Sequence, residues 1–174
     1  MKNGLIYGLI AGVLYMIWVI IGGNIFPNLI YGSMPIMIIS SIVVIIFMAL
    51  ACQKEKTALD GSIQFGEAFL TCLMTYLVFN IVYCIGFKFY VDLSPTAMGT
   101  FLETTKESTG EMLTMLGTPE DEVYKAMEDL DETLPLFFTW KNTLLSIFGG
   151  LVFPGALLAL IIAAITSKFP KTTV

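Results

Sequence analysis

The ionisable side chains of this sequence are mainly fourteen acids and nine basic residues, all lysines, with three cysteines and no histidine. Histidine bases, histidine-ligated metals and the arginine fork on phosphate are therefore outside its chemistry. Eleven acids fall within residues 92–132, where only Lys106 and Lys125 oppose them. Glu128, Asp129, Asp131 and Glu132 are close enough in sequence to suggest a site for a cation or a basic ligand. The calcium-loop spacing with its central glycine is absent, so the plainer reading is a polar face held in water. Cys72 and Cys84 would lie about 18 Å apart on one helix, too far to bridge. Cys52 falls at the cytoplasmic end of another helix, and no Cys-x-x-Cys, nucleophile–base pair, phosphate loop or metal-ligand cluster occurs. Neither an enzyme nor a bound metal or other cofactor is expected.

A second constellation is uncharged. Cys72, Tyr76, Asn80 and Tyr83 recur at helical spacing and share one face. Asn80 falls near the middle of an apolar run, where its amide must find a partner. It can bridge two helices by a hydrogen bond or, with Tyr76 and Tyr83, line a cleft for a small molecule or lipid. The bridge is the favoured role, because no charged residue joins the stripe. Small residues form a third pattern. Gly4, Gly8 and Gly12 make two overlapping GxxxG motifs, and Gly155, Ala159 and Ala163 repeat that spacing. These two faces are expected to pack against each other, with a kink at Pro154.

Helices in a membrane must position these residues. The 174-residue chain is 56% hydrophobic and 13% charged, with a net charge of −5. A soluble domain carries about 25% charged residues. The mean hydropathy is +0.83 and the pI is near 4.6. An acidic chain of this kind lacks the basic stripe that nucleic acid requires. Residues 3–53 carry no charge. That is too long for one span of about 20 residues and enough for two, divided at Asn24–Asn28 and Gly32–Pro35. Further uncharged runs cover 68–87 and 142–167. The expected fold is all-α, one membrane domain over 1–174 with four transmembrane helices at about 4–25, 35–52, 67–89 and 142–166. The first run exceeds a signal-peptide core and no Ala-x-Ala site follows it, so it reads as an uncleaved anchor.

Lysine placement gives the orientation. Lys2, Lys54, Lys56, Lys168 and Lys171 fall on three short segments, while Lys88, Lys106, Lys125 and Lys141 are spread over a much longer opposite side. Both termini are therefore expected in the cytoplasm. Glu67 and Lys88 read as charges matched to the two ends of the third helix dipole.

The segment 92–134 is expected to be an extramembrane helical hairpin. Met98, Leu102, Thr105, Thr109, Met112 and Leu116 mark one helix face, with Ser94 as N-cap and Pro95 at the first helical position. Gly117 stops that helix. Thr118 and the acids after it suggest a capping box for a second, whose apolar stripe is Val123, Met127, Leu130 and Leu134.

The pieces Asn3-Gly4-Leu5-Ile6-Tyr7-Gly8, Gly61-Ser62-Ile63-Gln64-Phe65-Gly66-Glu67-Ala68-Phe69 and Tyr90-Val91-Asp92-Leu93-Ser94-Pro95 together resemble the bacterial inner-membrane family called domain of unknown function 4199. The resemblance covers most of the chain and implies a four-helix integral membrane protein with no established activity or catalytic residues. The leading functional expectation is a non-enzymatic accessory, assembly or interaction factor of the bacterial cytoplasmic membrane. Its partners would be membrane lipids and a protein partner or second copy, with no nucleic acid. The alternative is a small-molecule or lipid transporter with a cleft beside Asn80.

Overall fold

Uncharged runs rich in leucine, isoleucine and alanine close their backbone hydrogen bonds internally as helices, and the computed structural model shows this over the described residues, 2–31 and 34–168. The elements are α1 (Lys2–Ile25), α2 (Pro27–Tyr31), α3 (Met34–Ala58), α4 (Phe65–Leu93), α5 (Pro95–Met115), α6 (Glu120–Phe137), α7 (Trp140–Gly150) and α8 (Ala156–Lys168), with a break at Leu151–Gly155 between the last two. No strand occurs among the described residues. Among the described residues, three helices are long and apolar enough to cross a membrane: Lys2–Ile25, Phe65–Leu93 and the interrupted Trp140–Ser167. Gly32 and Ser33 of the expected turn, and Lys171, lie outside the described residues.

The outside of the bundle is apolar. Leu9, Leu14, Ile17 and Ile21 of α1 are each about half exposed, while Thr71, Thr75 and Asn80 of α4 are buried. A water-soluble protein has the opposite arrangement, so this surface is built for lipid. Packing inside relies on small residues. A Cβ added at Gly4, Gly8 or Gly12 would stand 2.7 Å from Thr71 O, 2.5 Å from Thr75 O or 2.7 Å from Val82 Cβ, all on α4. The glycine face of α1 therefore meets α4 and not the face of Gly155, Ala159 and Ala163. Ala159 and Ala163 are fully buried, and α8 lies against α4 and α3. The expected mutual packing of the two faces is corrected accordingly: each approaches α4, whose Thr71, Thr75 and Val82 fit the glycine groove.

One end of the bundle gathers Asn3, Glu55, Lys56 and Thr166. Asn3 Nδ2 donates to Glu55 Oε2 at 2.6 Å, and the buried Lys56 donates to the Thr166 carbonyl at 2.7 Å, near the end of α8. At the other end, α2 packs on α5.

The helix ends follow local chemistry. Ser94 Oγ accepts from the Ala97 amide at 3.3 Å, with Pro95 opening α5. Gly117 takes φ +76°, and the Gly117 and Thr118 amides donate to the carbonyls of Thr114 and Leu113. This paired closure uses the Thr118 amide to end α5. The expected capping box is therefore corrected: Pro119 is the N-cap of α6 and makes no side-chain cap bond. Near Pro154, Phe153 adopts φ −146°, ψ 120° within the break, because the proline ring disfavours helical geometry in the residue before it.

Candidate functional site

Within α4 the residues Tyr76, Phe79, Asn80, Tyr83 and Phe87 follow one another at steps of three, one, three and four, and all line one cavity of about 490 Å³. Tyr15 and Val19 of α1, Ile30 and Tyr31 of α2, and Phe101 and Thr105 of α5 supply other walls, and Pro154 borders it at the break. Its wall is a ladder of rings. Phe79 and Tyr83 stack at 6.3 Å between centroids, as do Tyr83 and Phe87 at 5.9 Å. Tyr15 meets Tyr83 edge-on at 5.2 Å, and Phe101 meets Phe87 edge-on at 5.7 Å. Such offset and edge contacts add to the packing that burial already provides.

Asn80 joins α4 to α7. Its Nδ2 donates to the Ile147 carbonyl at 3.0 Å, and its Oδ1 accepts from Cys84 Sγ at 3.2 Å. Two glycines make this approach possible. A Cβ at Gly150 would lie 2.7 Å from Asn80 Nδ2, and one at Gly155 would lie 2.5 Å from the Tyr76 ring. The three residues named from sequence as a cleft lining, Tyr76, Asn80 and Tyr83, thus share one cavity, and the Asn80 amide is already hydrogen-bonded. Cys72, on the same expected face, does not line it and faces α3 instead.

Two further arrangements escaped the sequence reading. Lys88 does not end α4; the helix continues to Leu93. Lys88 is buried, pairs with Asp92 one turn on, and places Nζ 5.2 Å from the centre of the Trp140 ring. The spacing of four between Lys88 and Asp92 was a usable signal, obscured by placing the span's end at residue 89. Cys52 and Cys72, from α3 and α4, bring their sulfur atoms to 2.9 Å, and Cys52 Sγ donates to the Ala68 carbonyl at 3.2 Å. That pairing depends on the register between two helices, for which the sequence carries no local signal.

The acids of α6 do not converge. Glu120, Asp121, Glu122, Glu128, Asp129, Asp131 and Glu132 are all exposed, and Asp131 pairs with Lys106 of α5 at 2.5 Å. Among the described residues, no group of three or more acids or cysteines is placed to hold a metal ion.

Comparison with the curated proteins and with the solved structures gave no match. Residues 6–168 match the family described as protein of unknown function (DUF4199). With almost its whole length matched and three membrane-compatible helices among its described residues, the chain belongs to that family of proteins of unknown function.

Proposed function

We propose that the chain is a four-span protein of a bacterial cytoplasmic membrane that acts without catalysis, as an accessory or assembly factor offering the acidic face of α6 to a basic protein partner. The fourth span is α3, whose 25 residues extend about 37 Å at 1.5 Å per residue, enough to cross the hydrocarbon core. Lysine density favours cytoplasmic termini, with α5 and α6 as a hairpin on the far side. The observation that carries the reading is the seven exposed carboxylates of α6, with the exposed Tyr124 on the same helix and Met115 and Leu116 exposed at the end of α5. Charge of one sign beside apolar contact area suits recognition of an oppositely charged surface.

A photoreactive side chain in place of Tyr124 tests this in intact membranes. The expected result is a cross-link to one other protein. It should be lost when Glu128→Gln, Asp129→Asn, Asp131→Asn and Glu132→Gln are combined at unchanged chain abundance. A cross-link only to a second copy of the chain, or one indifferent to charge, overturns the partner reading.

A second reading, a small-molecule or lipid transporter, is favoured by the cavity beside Asn80. Asn80→Leu separates the two. Because it leaves the Ile147 carbonyl without its side-chain donor, a bridging role predicts a stability loss of about 1–3 kcal/mol, with activity falling only as abundance falls. A stable, abundant and inactive variant would favour the transporter.

A further inference from the structure

The cavity of about 490 Å³ lies within the 300–1,000 Å³ range of small-molecule sites, and rings from α1, α2, α4 and α5 line it. Tyr31, Tyr83, Phe87 and Phe101 are only partly buried, so ring surface stays open to a ligand. The rings converge at large angles: Tyr15 on Tyr83 at 63°, Phe101 on Phe87 at 69° and Tyr31 on Phe101 at 72°. In each such pair one ring turns its edge to the other and keeps its own faces clear of that neighbour. Ring faces carry the negative part of the aromatic quadrupole, and several around one space attract a cation. The charges nearby favour the same sign of ligand. Among the described residues no lysine lines the cavity. Lys88, next to Phe87, is compensated by Asp92 and by the Trp140 ring. The α5 wall carries Glu103, Glu107 and Glu111, all exposed, and the exposed acids of α6 follow them. A surface of this sign raises the local concentration of cations.

We propose that this cavity binds a quaternary ammonium group, held by cation–π contact with Tyr15, Tyr83, Phe87 and Phe101. The proposal rests on the cleft reading and gives it a ligand class. It leaves Asn80, already bonded to the Ile147 carbonyl, as the bridge that holds α4 to α7. Selection follows from hydration. A primary ammonium has three N–H donors that rings do not satisfy as water does, whereas a quaternary nitrogen has none and spreads its charge over carbon. A free cation and a choline lipid headgroup carry this group alike, and competition separates the two.

The test uses the full chain in maltoside micelles, which are uncharged and free of ammonium, with tritiated benzyltrimethylammonium as the probe. Binding should saturate, and benzylammonium should compete on the order of tenfold more weakly than the unlabelled probe. Phe101→Leu keeps the site apolar and removes one ring, so the probe should bind about tenfold more weakly. Neopentylbenzene, which has carbon in place of the nitrogen, should lose far less affinity in that variant. Tyr83→Phe keeps its ring and should bind the probe as the native chain does. Binding that rises linearly with dose would show uptake by the micelle and overturn the proposal. Equal losses for the probe and its carbon isostere in Phe101→Leu, or equal competition by benzenesulfonate, would overturn the cationic class. Displacement by dihexanoylphosphatidylcholine at lower concentration than by choline supports the site with a lipid headgroup as its carrier, and the reverse order supports it with a free cation. Saturable binding without transport would keep this site and remove only the transporter reading. Absent binding beside a stable but inactive Asn80→Leu variant would overturn the cation and keep the transporter.

Discussion

Replacing Gly8 by leucine forces a side chain into a space that α4 occupies. The new Cβ alone would stand 2.5 Å from the Thr75 carbonyl oxygen and 2.9 Å from Val78 Cβ, both closer than a Cβ atom approaches its neighbours in a folded protein. The carbonyl belongs to helical backbone and cannot swing aside, so α1 must move outward. Helix propensity works the other way, favouring leucine over glycine by a little under 1 kcal/mol. Overpacking typically costs about 1–3 kcal/mol, and displacement along a whole helix face belongs at the upper end or beyond. The balance is a loss of about 2 kcal/mol or more. For a chain of this size that lowers the melting midpoint by roughly 4–8 °C. Ile10→Leu is the control, because Ile10 is 42% exposed on the outward face and should change stability by no more than about 0.5 kcal/mol. Gly8→Ala should fall between the two, since it introduces the Cβ clash without the rest of the leucine. Melting of the three variants in one detergent decides the matter. Equal midpoints for Gly8→Leu and Ile10→Leu would refute the close approach of α1 to α4.

Other outcomes follow from the same contacts. A cysteine replacing the exposed Met115 should react with an impermeant thiol reagent in intact spheroplasts, and one replacing Thr57 should not; the reverse pattern overturns the orientation. Asp92→Asn should destabilise by about 2 kcal/mol or more, because Lys88 stays buried without its counter-charge, whereas Lys88→Met should be close to neutral, since the freed Asp92 carboxylate is partly exposed. Equal losses in the two variants would mean that Trp140 and water already satisfy the lysine. A membrane-permeant thiol oxidant should join Cys52 to Cys72 and leave Cys84 reduced, as peptide mapping after alkylation would show; a mixed-disulfide ladder including Cys84 would contradict the α3–α4 register.

The parts of the fold legible in the sequence are those fixed by neighbours along the chain. Lys2 and Lys54 bound an uncharged stretch that can only be apolar helix, and Pro27 divides it. Ser94 and Pro95 open α5 through groups on the next turn, and Gly117 closes it because its backbone needs φ +76°. Thr118 shows how such reasoning fails within a few residues. It has the side chain of an N-cap, but closing α5 engages its amide with Leu113, and the next helix starts from Pro119 instead. Glu67 was legible in the same local way, accepting from the Gln64 amide at 3.2 Å.

Contacts between helices were legible only as faces, without their partners. The spacing of Tyr76, Asn80 and Tyr83 puts them on one side of α4, but nothing in it indicates that Gly150 and Gly155 open the space that Tyr76 and Asn80 fill. Thr105 read as a polar member of an apolar stripe on α5, and its place opposite the rings of α4 depends on how α2 and α5 close that end of the bundle. The glycine stripe of α1 carried the same ambiguity. A groove of small residues states that some helix comes close, and Thr71, Thr75 and Val82 of α4 are what select it. One helix therefore receives α1 on one face and the kinked α7–α8 segment on another, with the ring-lined cavity bordered by both. A substitution that displaces α1 at Gly12, whose Cβ would stand 2.7 Å from Val82 Cβ, should thus also disturb the Tyr15–Tyr83 contact in the cavity wall, coupling packing to any ligand bound there.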